Sequence, residues 1–527
     1  MARESFEDEE IAAILNESFL PVKIDREEHP EIDAVYLLAC EILRGHAGWP
    51  LTILALPDGW PFFVATYLPK EGDGYRLGLK ELLLAVRKAW ESNRAQILES
   101  AREIRQALEA VSFVNPGTFD RKEVLKRAFE ELWAQFDPQY GGFGRAAKFP
   151  LPLRLLYLLH FGEDGPPEVH EMVKKTLFKM RFSGLFDQVG FGFHRYTIDR
   201  AWRVPHFEKM LYDQGLLLYL YAEAAKHLSE PLYERVAREI VTYLQENLED
   251  PRSGLFYSAE SAESEGEEGL FYTWSFGELE EFLEAEELKI LKSYFDLHPE
   301  GNYLEEGCGR PSGRNILFPL HSGEGERPSG PPVEPLLQKL KAFREKKPRP
   351  PRDEKFLTDW NALAIAGLAH AGKILREKDF ILLAKNAFEA LWQKSFSQGR
   401  LLHVPECLGL KGLLEDYVFL AWAALELFEA TSDSSYFEKM AFLLEETEKL
   451  FKTSAGLYQQ VGNDKKPFLI KFFPVFEGAI PSGNGLLAYL LAKIGRFSAS
   501  QKILTGSGKY LQERPGDFPS FLLALLQ

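Results

Sequence analysis

A short glycine–aromatic punctuation recurs along most of the chain, at Gly141–Phe143, Gly190–Phe193, Gly254–Tyr257, Gly399–Leu402 and Gly456–Tyr458, with spacings of 49, 64, 145 and 57 residues. Amphipathic helical patterns fill the intervals, clearest at 118–136, 150–161, 167–183, 206–227, 231–248, 334–346, 358–373, 378–394, 412–430, 435–452, 481–495 and 515–526. A period near 57 emerges once the Gly/Pro-rich stretch 301–333 is set aside as an insertion, and one period holds two helices with their loops. Self-similarity of this length means stacked helical hairpins, because one hairpin cannot bury its apolar face alone. Six hairpins fill residues 118–527, which suits a closed (α/α)6 barrel; an open helical solenoid competes with it.

The first 110 residues read differently. Helix signals at Phe6–Glu17, Pro30–Leu43 and Leu77–Leu108 alternate with strand signals at Phe19–Asp25, Leu51–Leu56 and Pro61–Tyr67. Pro57, Asp58 and Gly59 supply turn chemistry between the last two strands, which predicts a hairpin. This is an α/β unit.

With 62 Lys+Arg against 79 Asp+Glu, the net charge of −17 repels phosphate backbones and anionic headgroups, so neither nucleic acid nor a membrane surface is an expected partner. The basic run Lys341–Arg352 is short and proline-broken, which suits a solvated linker. No apolar stretch approaches the ~20 residues of a membrane helix, and the acidic start lacks the features of a signal peptide. Cys40, Cys308 and Cys407 form no Cys-x-x-Cys, so reduced thiols in a cytoplasmic protein are expected, without a disulfide framework or zinc ribbon.

Several longer strings carry a family resemblance: Glu4–Glu10, Lys23–Glu27, Gly48–Thr52, Gly142–Gly144 with Lys148–Pro150, Phe186–Tyr196, Val204–Asp213, Asp359–Asn361, Glu415–Tyr417 and Pro481–Asn484. On them the chain resembles the thioredoxin-like DUF255 proteins, also called the YyaL or spermatogenesis-associated thioredoxin-like family, over essentially its whole length. The resemblance implies a mainly α protein: a thioredoxin-like α/β domain over 1–112, then an (α/α)6 barrel over 113–527 with an irregular insertion at about 296–356. That barrel would be similar to those of N-acylglucosamine 2-epimerases and six-hairpin glycosidases, an analogy of fold and not of function. Family members carry a Cys-x-x-Cys just before the segment matching Met1; this sequence contains none, and the resemblance implies that the first strand of the domain would be missing with it. A redox-inert, truncated domain is therefore expected, with Cys40 a packed small side chain and Trp49–Pro50 at the cis-proline position of thioredoxin folds.

The densest polar group surrounds the loop from His194 to His206. A helix beginning at His206 would put His206, Lys209 and Asp213 on one face and Glu208 on another; the modest reading is that His206 caps that helix. In the stronger reading His194 and His206 act as base and acid beside a sugar carbonyl, with Glu208 and Asp213 completing the catalytic set. Arg195, Tyr196, Trp202, Lys209, Trp274, Asp359, Trp360, Asn361, Asp416, Tyr417, Ser482 and Asn484 are the candidate substrate contacts. Hydrolysis would instead draw two carboxyls from Glu208, Asp213, Asp359 and Asp416. Asp359 and Ser482 equally suit helix starts, where such residues cap. Neither a metal nor a cofactor is expected, since His and acidic residues show no ligand spacing and Gly506–Lys509 only ends like a phosphate loop. The expected function is binding or processing of a carbohydrate-like small molecule, epimerase- or isomerase-like if catalytic. The alternatives are a non-enzymatic scaffold that docks a protein through its first domain, or a thiol oxidoreductase whose Cys-x-x-Cys segment is absent here.

Overall fold

The computed structural model describes residues 2–111, 114–303, 311–320 and 333–527. The chain divides into two compact units, Met1–Asn115 with Tyr458–Pro474, and Pro116–Leu457 with Val475–Gln527. Cys308 and much of the predicted insertion lie outside the described residues.

The first unit contains α1 (Glu9–Ser18), α2 (Pro30–Arg44), β1 (Thr52–Ala55), β2 (Pro61–Ala65), α3 (Leu79–Ser92) and α4 (Arg94–Ala110). Asp8 caps α1 by accepting from the N–H groups of Glu10 and Ile11, and α2 ends on Gly45 at φ 75°, where a side chain would be strained. β1 and β2 pair antiparallel, Thr52 opposite Ala65 and Leu54 opposite Phe63, and the Trp49–Pro50 bond is cis. Ala39, Cys40, Trp60, Val64, Ile104 and Leu108 form one core, against which Leu469 and Ile470 of the later segment pack. Phe468 meets Tyr36 edge-on at 5.2 Å, and Lys465 pairs with Glu31 at 3.3 Å. Burial pushes the Cys40 thiol up, as suits a packing residue. The strand predicted at Phe19–Asp25 does not form: Leu20, Val22 and Ile24 are exposed, and among the described residues no strand lies alongside to pair with them.

The second unit carries α5 (Arg121–Gln135), α6 (Pro152–Phe161), α7 (Pro167–Arg181), α8 (Leu211–Leu228), α9 (Pro231–Tyr243), α10 (Phe276–Phe282), α11 (Ala285–Tyr294), α12 (Glu334–Arg344), α13 (Thr358–Leu375), α14 (Lys378–Lys394), α15 (Leu414–Thr431), α16 (Ser434–Phe451), α17 (Gly483–Lys493), α18 (Phe497–Gly506), α19 (Gly508–Glu513) and α20 (Pro519–Leu526). Helices α6, α8, α13, α15, α17 and α20 each pack on the next, and α20 packs back on α6. This closes an inner ring of six, so the solenoid alternative is excluded. Helices α5, α7, α9, α14, α16 and α18 cover the ring from outside. Inner helices are apolar nearly all round, as at Thr358–Gly372, whereas outer ones such as α9 bury only a stripe. No described helix is long and apolar enough to cross a membrane.

Further details differ from the sequence reading. Helix α8 begins at Leu211 and not at 206, because Tyr196–Thr197 (β3) pairs with Pro205–His206 (β4), and Lys209–Met210 (β5) pairs with Ala259–Glu260 (β6). Helix α18 lies outside the sequence reading, which places no helix over Phe497–Gly506. Within the expected insertion, the helix read at 334–346 forms as α12, which packs Leu336 and Leu340 against Trp274, Leu279, Leu291 and Phe295.

Helices α8 and α13 cross at Gly215 and Gly367, where a Cβ on Gly367 would stand 2.3 Å from the Gly215 carbonyl oxygen. Gly367→Ala is therefore expected to lower stability by about 1–3 kcal/mol through overpacking, read as a lower denaturation midpoint.

The C-terminal ends of the inner helices enclose a buried ionic network. His370 lies between Glu223 and Glu426, at 2.6 and 2.9 Å, and stacks on Tyr219 at 3.8 Å. Glu426 also takes Lys493 at 2.8 Å and the Trp422 indole N–H at 3.1 Å. Cationic side chains in the last turns of α13 and α17 answer the partial negative charge of those helix ends.

Candidate active site at the N-terminal ends of the inner helices

The glycine–aromatic punctuation forms a repeated latch. In the loop after α5, Asp137 accepts from the N–H groups of Gln139 and Tyr140; in the loop after α7, Asp187 accepts from those of Val189 and Gly190. A lysine just ahead of the next inner helix completes each turn. Lys148 reaches Asp137 and the Gly141 carbonyl at 2.8 and 2.6 Å; Lys209 reaches Asp187 and the Phe191 carbonyl, both at 2.8 Å. Lys209 is thus the structural counterpart of Lys148, fully buried, and not a substrate contact. Amide latches fix the same loops: Gln214 on the backbone of Phe193, and Asn361 on that of Phe256.

These latches bring a set of carboxyls to the starts of α8, α13 and α15. Asp416 accepts the backbone N–H of Asp359 at 3.1 Å and of Leu413 at 2.7 Å, while His403 Nδ1 sits 3.0 Å from both its oxygens. One donor atom each from Asp359, His403 and Asp416 lies within 4.8 Å of the others, close enough for a cation. The Asp416 oxygens are already taken by backbone and imidazole, so the trio reads as a hydrogen-bonded unit. Burial pushes Asp359 up to about 7, with His403 opposing and Asp416 adding to the shift. Burial likewise pushes Glu415 up to about 8, its neighbours Asp416 and Asp359 adding to it. Asp213 is raised well above the usual carboxyl range by burial, against the pull of Arg195. Glu415 Oε2, Asp213 Oδ2 and Arg195 Nε are buried without a hydrogen-bond partner. Tyr212 and Trp360 meet edge-to-face at 4.7 Å between α8 and α13.

The two histidines singled out in the sequence occupy different surroundings. His194 is buried against Phe207 and Tyr272, its Nδ1 bonded to the Phe207 carbonyl at 2.8 Å, and desolvation lowers its pKa to about 3. It borders a cavity of about 20 Å³, room for one water and for no sugar. His206 lies on strand β4 with Nδ1 2.6 Å from Glu268, and although partial desolvation opposes it, the Glu268 bond raises its pKa. The helix face expected to join His206, Lys209 and Asp213 does not exist, since only Asp213 is on the helix.

The remaining predicted contacts sort by exposure. Trp202 and Trp274 are core residues, and the Tyr417 hydroxyl is held by Arg400 and accepts from Leu401 N–H at 2.9 Å. These three, with Asn361, anchor loops instead of facing a ligand. Ser482 caps α17 by accepting from Gly485 N–H, and Asn484, the second residue of that helix, is buried. Arg195 pairs with Glu208 at 2.9 Å, and Tyr196 stacks on Phe149 at 4.6 Å; these side chains remain partly accessible. Glu415 and His403 are functional candidates that the sequence reading passed over. Glu415 opens a motif already noticed for Asp416, and His403 directly follows the punctuation at Gly399–Leu402.

The model of the family described as "Protein of unknown function, DUF255" matches residues 1–109. Spermatogenesis-associated protein 20 of Homo sapiens is 32% identical over 586 residues, spanning 100% of this chain and 74% of that protein. Its Rattus norvegicus counterpart is 32% identical over 590 residues, spanning 100% and 73%. Among solved structures, a cellobiose 2-epimerase from Bacillus thermoamylovorans is similar with TM-score 0.46 and 10% identity, covering 75% of this chain and 88% of that one. A GH76 alpha-mannanase of Bacteroides thetaiotaomicron has TM-score 0.45 and 9% identity, covering 78% and 95%. At such identity and TM-score no residue role transfers, and the ring described above rests on its own helix contacts. The length and identity of the sequence matches do settle kinship: the chain belongs to the DUF255 family together with spermatogenesis-associated protein 20.

Proposed function

We propose that the N-terminal ends of the inner helices bind a carbohydrate-like small molecule and transfer protons to and from it. The observation that carries this reading is the pair of buried carboxyl oxygens, Glu415 Oε2 and Asp213 Oδ2, left without a protein partner. A protonated carboxyl both donates and accepts, which matches vicinal hydroxyls. Asp359, near 7, is poised to take or give a proton at neutral pH, and Glu415, near 8, supplies the proton as general acid. Asp213 orients the ligand, with Trp360 and Tyr212 offering aromatic surface. The acid–base role thus moves from His194 and His206 to Asp359 and Glu415. Proton transfer beside a sugar carbonyl and cleavage of a glycosidic bond both use such a set; the sequence-level preference for isomerisation is kept. A cytoplasmic setting belongs to the same proposal, since the free, exposed Cys407 suits a reducing compartment.

A thermal-shift screen against aldoses, ketoses, N-acyl hexosamines and disaccharides tests this, because a ligand of the native state raises its melting temperature. A hit lost in Asp359→Asn and Glu415→Gln, with deuterium uptake from solvent water into the sugar, is expected. Turnover should fall as pH rises through about 8, where the Glu415 proton is lost, and that limb should vanish in Glu415→Gln. Silence across the panel, or a hit indifferent to both variants, would overturn the proposal.

A second reading, a binding module without turnover, is favoured by the packing of Trp202, Trp274, Tyr417 and Asn361 into loop anchors. A sugar hit with neither solvent exchange nor release of a reducing end would select it.

A further inference from the structure

At the other end of the ring, the last turns of α6 and α8 carry His160 and His227, and Glu163 follows α6 directly. Glu163 Oε1 faces both imidazoles on one side, 3.6 Å from His160 Nδ1 and 3.1 Å from His227 Nδ1. Glu223, one turn before His227 on α8, faces both on the other side: its Oε2 lies 2.8 Å from His227 Nε2 and 3.9 Å from His160 Nε2. The rings stand perpendicular with centroids 5.2 Å apart, and one donor atom each from His160, Glu163 and His227 falls within 4.8 Å of the others.

We propose that His160 Nδ1, His227 Nδ1 and a Glu163 oxygen bind a divalent transition metal of the zinc type, with Glu223 behind the two imidazoles as their orienting carboxylate. Two imidazoles and one carboxylate are a borderline-hard N,N,O set of the kind zinc takes, leaving a fourth position for water. A ligating histidine almost always donates its other ring N–H to a carboxylate, which fixes tautomer and ring plane; Glu223 already stands at that place for His227. The carbonyl ends of α6 and α8 add partial negative charge. Half-exposed Glu163 gives an ion a route in from solvent. The site is independent of the carboxyl cluster at the opposite helix ends.

Chelator-treated protein titrated with Co2+ should show one equivalent bound with the intense visible d–d absorption of a low-coordinate N,O site, displaced by Zn2+. Zinc should also raise the melting temperature. His160→Asn and His227→Asn should each weaken Co2+ binding at least about tenfold. His227 Nε2 also contacts buried Glu223 at 2.8 Å, so Glu163→Gln, at a half-exposed position, serves as the variant that keeps the fold while weakening binding. Asp359→Asn should leave the titration unchanged. Absence of binding below millimolar Co2+, survival of the absorption in both histidine variants, or its loss in Asp359→Asn would overturn the assignment.

Discussion

Glu426→Ala is expected to destabilise the helical unit by about 3–5 kcal/mol, the usual cost of removing one partner from a buried ion pair. The carboxylate is fully buried and serves His370, Lys493, Lys373 and the Trp422 indole at once, so its removal strands more than one cation in the interior. Denaturant unfolding followed by far-ultraviolet circular dichroism reads the loss directly; a change below about 1 kcal/mol would mean the network is solvated. The effect has a pH signature. Burial opposes the charge on Glu426, yet Lys493 and His370 outweigh it and hold the carboxyl well below the usual range; burial likewise opposes Glu223, which its bonds to His227 and His370 hold low. Stability from these carboxylates is present above the unfolded value of about 4.3 and lost as pH falls through their folded values. His370 is opposite in sign: burial lowers its pKa, Glu426 and Glu223 raise it further, and its contribution is full below about 6.5 and lost as pH rises through the raised folded value. The penalty of Glu426→Ala should therefore be greatest between about pH 4.5 and 6.5.

Glu415→Gln should abolish turnover and at the same time make the protein more stable in alkali. Loss of a general acid costs about 10²–10⁴-fold in rate. The stability effect follows from the raised pKa: the native state holds the Glu415 proton up to about 8 while the unfolded chain releases it near about 4.3, so native stability declines as pH rises between the two. Glutamine carries no charge to desolvate. At pH 9 the variant should exceed the parent by about 2–4 kcal/mol, and at pH 5 the two should converge. A variant that is weaker at pH 9 would mean that Glu415 Oε2 has an ionic partner, and the acid role would fall with it. Stability bought against function at one buried carboxyl is the mark of a site built for chemistry.

Much of this architecture was legible in the sequence, and the reason is local. Each glycine–aromatic unit encodes a turn with a glycine at positive φ, 68° at Gly141, 72° at Gly254 and 89° at Gly456, so the six-hairpin count could be taken from residues in one loop. Asp359 is recognisable because it opens an inner helix, whereas Asp213 and Asp416 stand out only by the polar strings around them. The misreadings involve loop partners that helical periodicity does not reveal. Lys209 reads as a site residue until Asp187, 22 residues earlier in the same connection, takes its Nζ; His403 reads as nothing because its partner Asp416 stands 13 residues on, in α15. Strand β4 displaced the expected start of α8 because pairing with β3 is a tertiary fact that helical periodicity does not contain. The sequence reading finds no ligand spacing because the proposed metal set takes His160 and Glu163 from around the end of α6 and its second imidazole from another helix.

The two aspartate–lysine latches join residues 11 and 22 apart, whereas closing the ring joins α6 to α20, whose neighbouring contact from Arg154 to Asp517 spans 363 residues. Hairpins can thus assemble one by one as the chain emerges during synthesis, each stapled by its own loop. The inner face of α6 stays uncovered throughout, until Pro519–Leu526 arrives with Phe521, Leu522, Leu523 and Leu525 to seal it. Until α20 is made, the ring is therefore an open arc with an apolar seam at α6.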